Sequence, residues 1–245
     1  MPYINAFCID EKIENGEYYA RLPVVQLLQE QGWFRLESPV TFFVGENGSG
    51  KSTLLEALAV CAGMNAEGGS RNFTFATKRT ESGLHRHISL ARGAREKDSY
   101  FLRAESFYNV ASEIDRLDAI EAPTKRISAS YGGVSLHDQS HGESFLSLVQ
   151  NRLNGGLYIL DEPEAALSPT RQMTLLVEFK RMVQAGAQLI VATHAPVLLA
   201  YPGAEIYEIT ENSIENTKCE ECNHVRVTKR FLNDPQGMIR RLLED

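Results

Sequence analysis

The eight residues Gly45–Ser52 constrain this chain more than any other stretch of its sequence. They read Gly-Glu-Asn-Gly-Ser-Gly-Lys-Ser and fit the pattern G-x-x-x-x-G-K-[ST]. Gly48 and Gly50 allow backbone N–H groups to converge on phosphate oxygens, and a helix beginning near Lys51 directs its positive dipole end at the same point. Lys51 can then reach the β- and γ-phosphates, and the Ser52 hydroxyl can ligate Mg²⁺. The predicted nucleotide-binding residues are Gly45, Glu46, Asn47, Gly48, Ser49, Gly50, Lys51, Ser52 and Thr53.

The flanking sequence supports this interpretation. Residues 39–44 (PVTFFV) form an apolar run that stops at Gly45, as a buried strand should. Residues 52–62 then carry apolar side chains at helical spacing, and Gly63 ends the pattern. The alternative is a glycine-rich turn that merely caps a helix. A strand before the loop and a helix after it favour the phosphate-binding loop.

A second acidic motif follows another apolar run. Leu157-Tyr-Ile-Leu-Asp161-Glu162-Pro163 places two carboxylates at the carboxyl end of a predicted strand, where open α/β sheets bind their ligands. Asp161 can hold Mg²⁺ through water, and Glu162 can polarise the water that attacks a γ-phosphate. By itself such a pair could be a solvated strand end. Beside the phosphate-binding loop it indicates a hydrolytic site.

Composition limits the class of protein. The chain has 245 residues, 43% hydrophobic and 23% charged, with a net charge of −7, which fits one large domain and argues against non-specific nucleic-acid binding. Four cysteines are too few for a disulfide scaffold. No run of 18 apolar residues and no secretory signal is found, so we expect a cytoplasmic protein without a membrane span.

Periodicity predicts strands that alternate with helices, and therefore a mainly parallel sheet. A hairpin is predicted from two alternating runs at 87–91 and 100–104, and residues 210–230 show no clear periodicity. The other predicted strands are 3–9, 18–22, 157–160 and 188–193, the helices are 23–31, 110–119 and 143–153, and a loop covers 131–141.

With these motifs the sequence resembles the ATP-binding cassette (ABC) superfamily. Gln139-Ser-His-Gly-Glu143 is similar to the LSGGQ signature, 18 residues before Asp161. Ala165-Ala-Leu-Ser168 stands at the D-loop position, with Ser168 in place of the usual aspartate. His194 lies 33 residues beyond Asp161, where the family has its switch histidine. Glu105 follows YFLRA near the position of the Q-loop glutamine, which ligates the metal.

The resemblance implies an α/β fold of the P-loop NTPase class, an ABC-type three-layer sandwich with an N-terminal antiparallel β subdomain. It implies Mg²⁺-dependent ATP hydrolysis with Glu162 and His194 as catalytic residues and with Ser52, Asp161 and Glu105 at the metal. Two protomers would sandwich two ATP molecules, with Ser140, Gly142 and Glu143 of one protomer facing the γ-phosphate of the other. We expect one domain over 1–245, with its core at about 36–63 and 136–210, an arm or lid at about 64–135 and a polar extension at 211–245.

The residues of these motifs resemble most those of the soluble RecF, SMC and OLD-like branch of the ABC superfamily. Only 88 residues separate Lys51 from Ser140, which leaves no room for a long coiled-coil arm. The subunit of a membrane transporter and a nucleotide-gated binding module with little turnover are the alternatives.

Three weaker signals in the sequence each leave alternative interpretations. The basic segment 68–103 has a net charge of +5 and could face nucleic acid or an acidic protein, although a charge run is usually a solvated face. Cys219, Cys222 and His224 could bind zinc, but the spacing is unlike the usual patterns. An aromatic side chain could stack on adenine or pack in the core or at its rim, and the candidates are Tyr18, Trp33 and Phe34.

Overall fold

The computed structural model describes residues 2–10, 13, 16–70, 82–103 and 140–244. The strands in these ranges are β1 (Ile4–Ile9), β2 (Phe34–Arg35), β3 (Val40–Gly45), β4 (Gly69–Ser70), β5 (Ile88–Arg92), β6 (Ser99–Arg103), β7 (Leu157–Asp161), β8 (Gln188–Ala192), β9 (Glu205–Ile209) and β10 (Ile214–Asn216). The helices are α1 (Pro23–Gln31), α2 (Lys51–Cys61), α3 (His141–Arg152), α4 (Pro169–Gln184), α5 (Pro196–Leu199), α6 (Asn223–Asn233) and α7 (Pro235–Leu243). Three short 3₁₀ helices cover Tyr18–Arg21, Gly83–His87 and Cys219–Glu221.

The larger sheet has the strand order β10-β9-β3-β8-β7-β6-β4. Its five inner strands, from β9 to β6, are parallel, and the edge strands β10 and β4 run antiparallel to their neighbours. Because parallel strands end at the same edge of a sheet, Gly45, Arg103, Asp161 and Ala192 meet along one edge. This edge carries the site.

Alternate residues of the parallel strands face two different cores. Phe42, Tyr158 and Val191 belong to a core that also contains side chains of α3 and α4. Phe43 and Ile159 face the opposite side, where they pack with α2 and with the small sheet. Strands buried on both faces need apolar residues at every position, which is why they read as continuous apolar runs. The result is the expected three-layer arrangement.

The small sheet has the order β2-β1-β5 and is antiparallel, which confirms the predicted N-terminal antiparallel subdomain. The side chain of Gln188, at the start of β8, ties it to the larger sheet. Gln188 Oε1 accepts hydrogen bonds from the backbone N–H groups of Tyr3 and Ile4 at 2.8 and 2.9 Å, and its Nε2 donates to the Ile4 carbonyl at 2.9 Å. The two sheets are therefore joined by a buried polar clamp.

Two short-range predictions are wrong. Within the predicted strand 18–22, Tyr18–Arg21 form a 3₁₀ helix, because the backbone N–H groups of Ala20 and Leu22 donate locally to the carbonyls of Glu17 and Tyr19 at 3.0 and 3.2 Å rather than to another strand. The predicted hairpin does not form, since β5 pairs with β1 in the small sheet and β6 pairs with β7 in the larger one. Alternating apolar and polar residues indicate a strand but do not show which other strand it pairs with. Here β1 and β7, the strands that pair with β5 and β6, are distant in sequence.

The C-terminal part is more regular than the sequence analysis expected. Residues 214–216 form β10, and residues 223–243 form two helices. These helices keep large apolar side chains in solvent, with Val227 51% and Leu232 70% exposed. Both helices gather their apolar side chains on one side, so a helical pattern was present in the sequence and was missed. Among the described residues, no helix has the length and apolar character needed to cross a bilayer.

Candidate functional site

The phosphate-binding loop joins β3 to α2 as the sequence predicted. Gly50 has φ of 95° and is the N-cap of α2, so the helix axis points its N-terminus into the loop. A Cβ atom at residue 50 would lie 2.7 Å from Val24 Cγ1 and 3.0 Å from Leu22 Cβ. Both the backbone angle and the close packing of α1 therefore require glycine at this position.

The Lys51 side chain folds back onto the loop itself. Its Nζ donates to the carbonyls of Gly45 at 2.8 Å and Glu46 at 3.0 Å, and the residue is buried. Burial lowers the pKa of Lys51, while the nearby carboxylates of Glu162 and Asp161 oppose that shift. Nζ also lies 3.4 Å from Ser49 Oγ. A cation held by carbonyls and a hydroxyl can be transferred to phosphate oxygens without leaving a carboxylate unpaired.

Ser52 and Asp161 form a pair of oxygen ligands at the end of the loop. Ser52 Oγ donates to Asp161 Oδ1 at 3.0 Å, which joins the first turn of α2 to the last residue of β7. A hydroxyl and a carboxylate are the oxygen ligands that Mg²⁺ takes beside substrate phosphates. These two residues therefore fit the metal that the sequence motif implies.

Arg103 is a site residue that the sequence analysis assigned to a basic surface segment. It ends β6 directly beside Asp161, with its Nε 3.7 Å from Asp161 Oδ2 and its Nη1 2.8 Å from Glu56 Oε2. The signal in the sequence was a single basic residue after an apolar run, which has no meaning until the strand order is known. Arg103 thus faces the acidic edge of the sheet rather than an external polyanion.

Glu162 and His194 lie next to each other after β7 and β8. Glu162 Oε1 is 3.6 Å from His194 Nε2, and the Glu162 backbone N–H donates to the Ala192 carbonyl at 3.0 Å. Glu162 has a φ of 50°, a left-handed conformation that few side chains adopt. Burial lowers the pKa of His194, and the positive charge of Lys51 acts in the same direction. The neutral imidazole is therefore favoured near pH 7.

Glu164 is a second residue that the sequence analysis did not single out. Its Oε1 accepts a hydrogen bond from the His194 backbone N–H at 2.6 Å. Burial raises the pKa of Glu164, although this hydrogen bond counteracts the shift. The carboxyl group fixes the backbone of the loop that carries His194.

The signature segment lies at the N-terminus of α3. Ser140 is the N-cap, and Glu143 Oε2 accepts from both the Ser140 N–H at 3.0 Å and the Ser140 hydroxyl at 2.6 Å. Arg171 of α4 donates to Ser140 Oγ at 3.2 Å and to Glu143 Oε1 at 3.0 Å. The Ser140 hydrogen bonds, helped by Arg171, hold the pKa of Glu143 below its usual range. Ser140 and Glu143 are exposed, as a surface that faces another molecule would be.

We expect Gly142→Ala to destabilise the fold by about 1–3 kcal/mol, the usual cost of overpacking. A Cβ atom at residue 142 would lie 2.7 Å from the Ala166 carbonyl oxygen and 2.7 Å from Arg171 Nη1. The signature segment and the D-loop would have to separate. Urea unfolding measures the loss, and Gly16→Ala is the control because nothing lies within 4 Å of a Cβ atom there. Equal stability of the two variants would contradict this account.

A cavity of about 520 Å³ opens beside the phosphate-binding loop. Its lining joins residues of the loop to residues of β9 and of the start of α6, namely Pro23, Gly45, Glu46, Asn47, Gly48, Ser49, Glu208, Ile209, Thr210, Glu211, Asn223 and His224. Of the three aromatic candidates, Phe34 is buried among Phe7, Phe43 and Tyr207. Tyr18 and Trp33 are exposed and do not line this cavity.

Some residues predicted to belong to a site lie elsewhere in the fold, and others lie outside the described ranges. No group of three His, Cys, Asp or Glu within the described ranges could hold a metal ion, and Cys222 is buried in the core while His224 faces His194. The zinc interpretation of Cys219, Cys222 and His224 is therefore wrong. Thr53 lies in the first turn of α2. Glu105 and Gln139 lie outside the described residues, as do the predicted 110–119 helix and the greater part of the predicted 131–141 loop.

Two family models match the sequence. The model described as "AAA domain" matches residues 24–132, and the model described as "AAA domain, putative AbiEii toxin, Type IV TA system" matches residues 130–200. The first contains the phosphate-binding loop, and the second contains the signature segment, Asp161, Glu162 and His194. No curated protein matches the sequence.

Solved structures share the fold at low sequence identity. An ATP-binding cassette of an ABC transporter is 17% identical, with a TM-score of 0.51 over 96% of this chain and 97% of that chain. The ABC-transporter component cbiO1 from Clostridium perfringens is 15% identical, with a TM-score of 0.47 over 99% of this chain and 100% of that chain. The SMC head domain from Thermotoga maritima is 17% identical, with a TM-score of 0.42 over 76% of this chain and 93% of that chain.

The first of these matches, with a TM-score above 0.5, shows a fold shared with an ATP-binding cassette. The family models together span residues 24–200, the region that supplies the phosphate-binding loop, the acidic strand end and the histidine after β8. Over these residues the sequence is similar to the two AAA-domain families, and the fold is that of a P-loop ATPase of the ATP-binding cassette kind.

Proposed function

We propose that this protein binds MgATP and hydrolyses it, and that two copies associate around two ATP molecules to act on a protein or nucleic-acid partner. One observation carries the proposal: the ends of β3, β7 and β8 bring Lys51, the Ser52–Asp161 pair and the Glu162–His194 pair to one edge of the sheet. The resemblance of the motifs to the soluble branch favours this role over that of a transporter subunit, and it supports a cytoplasmic location as part of the proposal.

Binding uses the loop and its lysine. The backbone N–H groups between Gly45 and Ser52 and the N-terminus of α2 surround the phosphates, and Lys51 exchanges the Gly45 and Glu46 carbonyls for β- and γ-phosphate oxygens. Ser52 and Asp161 would hold Mg²⁺. When bound, the ion neutralises charge on the phosphates and lowers the barrier to phosphoryl transfer.

Hydrolysis uses the pair after β7 and β8. Glu162 accepts a proton from the attacking water, whose oxygen forms the new bond to the γ-phosphorus while the bond to the β-γ bridging oxygen breaks. The products are ADP and phosphate. His194 Nε2, 3.6 Å from the Glu162 carboxylate, can donate a hydrogen bond to that carboxylate or to a γ-phosphate oxygen.

The second protomer would complete the site through its signature segment. Ser140 is exposed at the N-terminus of a helix of 12 residues, so the positive helix end lies at the surface, where Glu143 and Arg171 hold the Ser140 hydroxyl. Arg171 adds a positive charge beside it. A γ-phosphate presented by another copy would meet this surface.

Removal of the metal tests the binding half of the proposal. We expect chelation of Mg²⁺ to weaken ATP binding to the wild type by roughly 10-fold, the order of one charge-assisted contact. Asp161→Asn should bind ATP with the same affinity with and without Mg²⁺, because its amide is a poor ligand for the ion. Calorimetry with a non-hydrolysable ATP analogue measures both affinities.

The matched control is Asp234→Asn, since Asn keeps the capping acceptor that Asp234 gives to α7. This control should respond to Mg²⁺ as the wild type does. An Asp161→Asn protein with a full Mg²⁺ effect would show that the ion binds elsewhere. A wild type that binds MgATP without releasing phosphate would favour the nucleotide-gated binding module.

A further inference from the structure

The first turn of α6 is held firmly against the nucleotide site. Cys222, which precedes the helix, is fully buried in the core beside α5 and β9. The Asn223 backbone N–H donates to Glu208 Oε1 of β9 at 2.9 Å. An acidic side chain at a helix N-terminus satisfies a free N–H and complements the helix dipole. The next residue, His224, therefore has a defined position although the rest of the helix is exposed.

His224 contacts the histidine of the catalytic pair. Its Nε2 is 3.1 Å from His194 Nδ1, and the two rings meet edge to face with centroids 5.0 Å apart. The contact joins the loop after β8 to an element 30 residues further along the chain. It also places two ring nitrogens within hydrogen-bond distance. When both rings are neutral, one of these nitrogens carries a proton and donates it, and the other accepts.

The position of that proton decides what His194 can do at its other nitrogen. A neutral imidazole has one N–H donor and one acceptor. If His224 Nε2 donates to His194 Nδ1, then His194 carries its own proton on Nε2, which faces the Glu162 carboxylate at 3.6 Å. In the opposite arrangement His194 Nε2 would present a lone pair to a carboxylate or a phosphate, which is unfavourable. The Glu162 carboxylate at 3.6 Å favours the first arrangement only weakly, and the closer His224 N–H at Nδ1 fixes it.

We propose that His224 is a positioning residue that holds His194 in the Nε2–H tautomer and in the orientation needed beside Glu162 and the γ-phosphate. The inference rests on the proposed ATP hydrolysis for its functional consequence. It makes the C-terminal segment part of the nucleotide site, because Asn223 and His224 also line the cavity next to the phosphate-binding loop. Any movement of α6 would change the tautomer and the cavity together.

Three variants test the assignment. His224→Ala removes the partner of His194 Nδ1, whereas His224→Gln restores an amide N–H near the position of the lost imidazole Nε2. Val227→Ala, on the exposed side of the same helix, is the control for loss of packing in α6. The tautomer of His194 is measured from the ¹⁵N shifts of its ring nitrogens at about pH 8, where unperturbed histidine is neutral, and His194→Ala assigns its signals.

We expect the wild type, His224→Gln and Val227→Ala to show His194 mainly as the Nε2–H tautomer. His224→Ala should give a mixture of tautomers, and its kcat should fall by roughly 10- to 100-fold, the order seen when an orienting partner is removed. The KM for ATP should change little, because Lys51 and the loop are untouched. If His224→Gln retains most of the activity, the loss in His224→Ala is due to the missing N–H donor at His194 and not to a disturbed fold.

Unchanged His194 ring shifts in His224→Ala would overturn the proposal, as would a His224→Gln protein as impaired as His224→Ala. Because the tautomer is read without turnover, these results are independent of the proposed function. A wild type with no ATPase activity would refute hydrolysis alone, and the ¹⁵N shifts would still decide whether His224 positions His194.

Discussion

Replacement of Lys51 by alanine should weaken ATP binding by at least about 100-fold while the fold remains intact. Two hydrogen bonds from a cation to phosphate oxygens contribute roughly 3 kcal/mol or more, and no other side chain of the loop is cationic. In the structure Nζ is bonded to the carbonyls of Gly45, which is buried, and Glu46, which is exposed. Both residues line the cavity beside the loop, from which water can reach the carbonyls once the lysine is gone. Calorimetric titration with ATP measures the loss.

Lys97→Ala is the matched control, because Lys97 is exposed in the turn before β6. It should bind ATP as the wild type does, and both variants should unfold at the wild-type urea concentration. Equal ATP affinity of Lys51→Ala and the wild type would show that the loop does not bind triphosphate.

Glu162→Gln should reduce ATP turnover by about 10²–10⁴-fold, the usual contribution of a general base. Glutamine keeps the size and hydrogen-bonding capacity of the side chain but cannot accept the proton of the attacking water. ATP binding should survive, because Lys51, Ser52 and Asp161 are unchanged. Phosphate release under saturating MgATP measures the effect, with the exposed Glu215→Gln in β10 as the control.

The same variant should accumulate as an ATP-dependent dimer. Unhydrolysed ATP would remain between Lys51 of one protomer and Ser140 of the other, whereas the wild type should dimerise only transiently. Size-exclusion chromatography with light scattering in MgATP distinguishes the two states. A Glu162→Gln protein that binds ATP and stays monomeric would contradict the sandwich and indicate a single-protomer nucleotide switch.

The motifs and the core strands could be predicted because their signals are local. The loop at residues 45–52 can be recognised without knowing its tertiary contacts, since its geometry follows from the glycine positions and from the strand and helix that flank it. The strands β3, β7 and β8 were found for the same reason: both of their faces are buried, so most of their residues are apolar.

Strand pairings and side-chain contacts between residues far apart in sequence were missed or misassigned. β5 and β6 alternate like a hairpin, yet each pairs with a strand that lies more than 50 residues away. Arg103 consequently looked like one of several basic surface residues, although its register with Asp161 places it beside the Ser52–Asp161 pair. The same limit explains Arg171, whose contacts with Ser140 and Glu143 bring together two helices.

The sequence by itself determined which chemical groups this protein offers: a glycine-rich loop with its lysine, two carboxylates after a buried strand and a histidine after another, each fixed by residues that are neighbours in the chain. Only the tertiary structure decided what surrounds that chemistry. The packing of α6 against β9 brings His224 to His194, and the order of the strands brings Arg103 to Asp161. Such contacts depend on strand order and on the docking of exposed helices, and neither leaves a local pattern in the sequence.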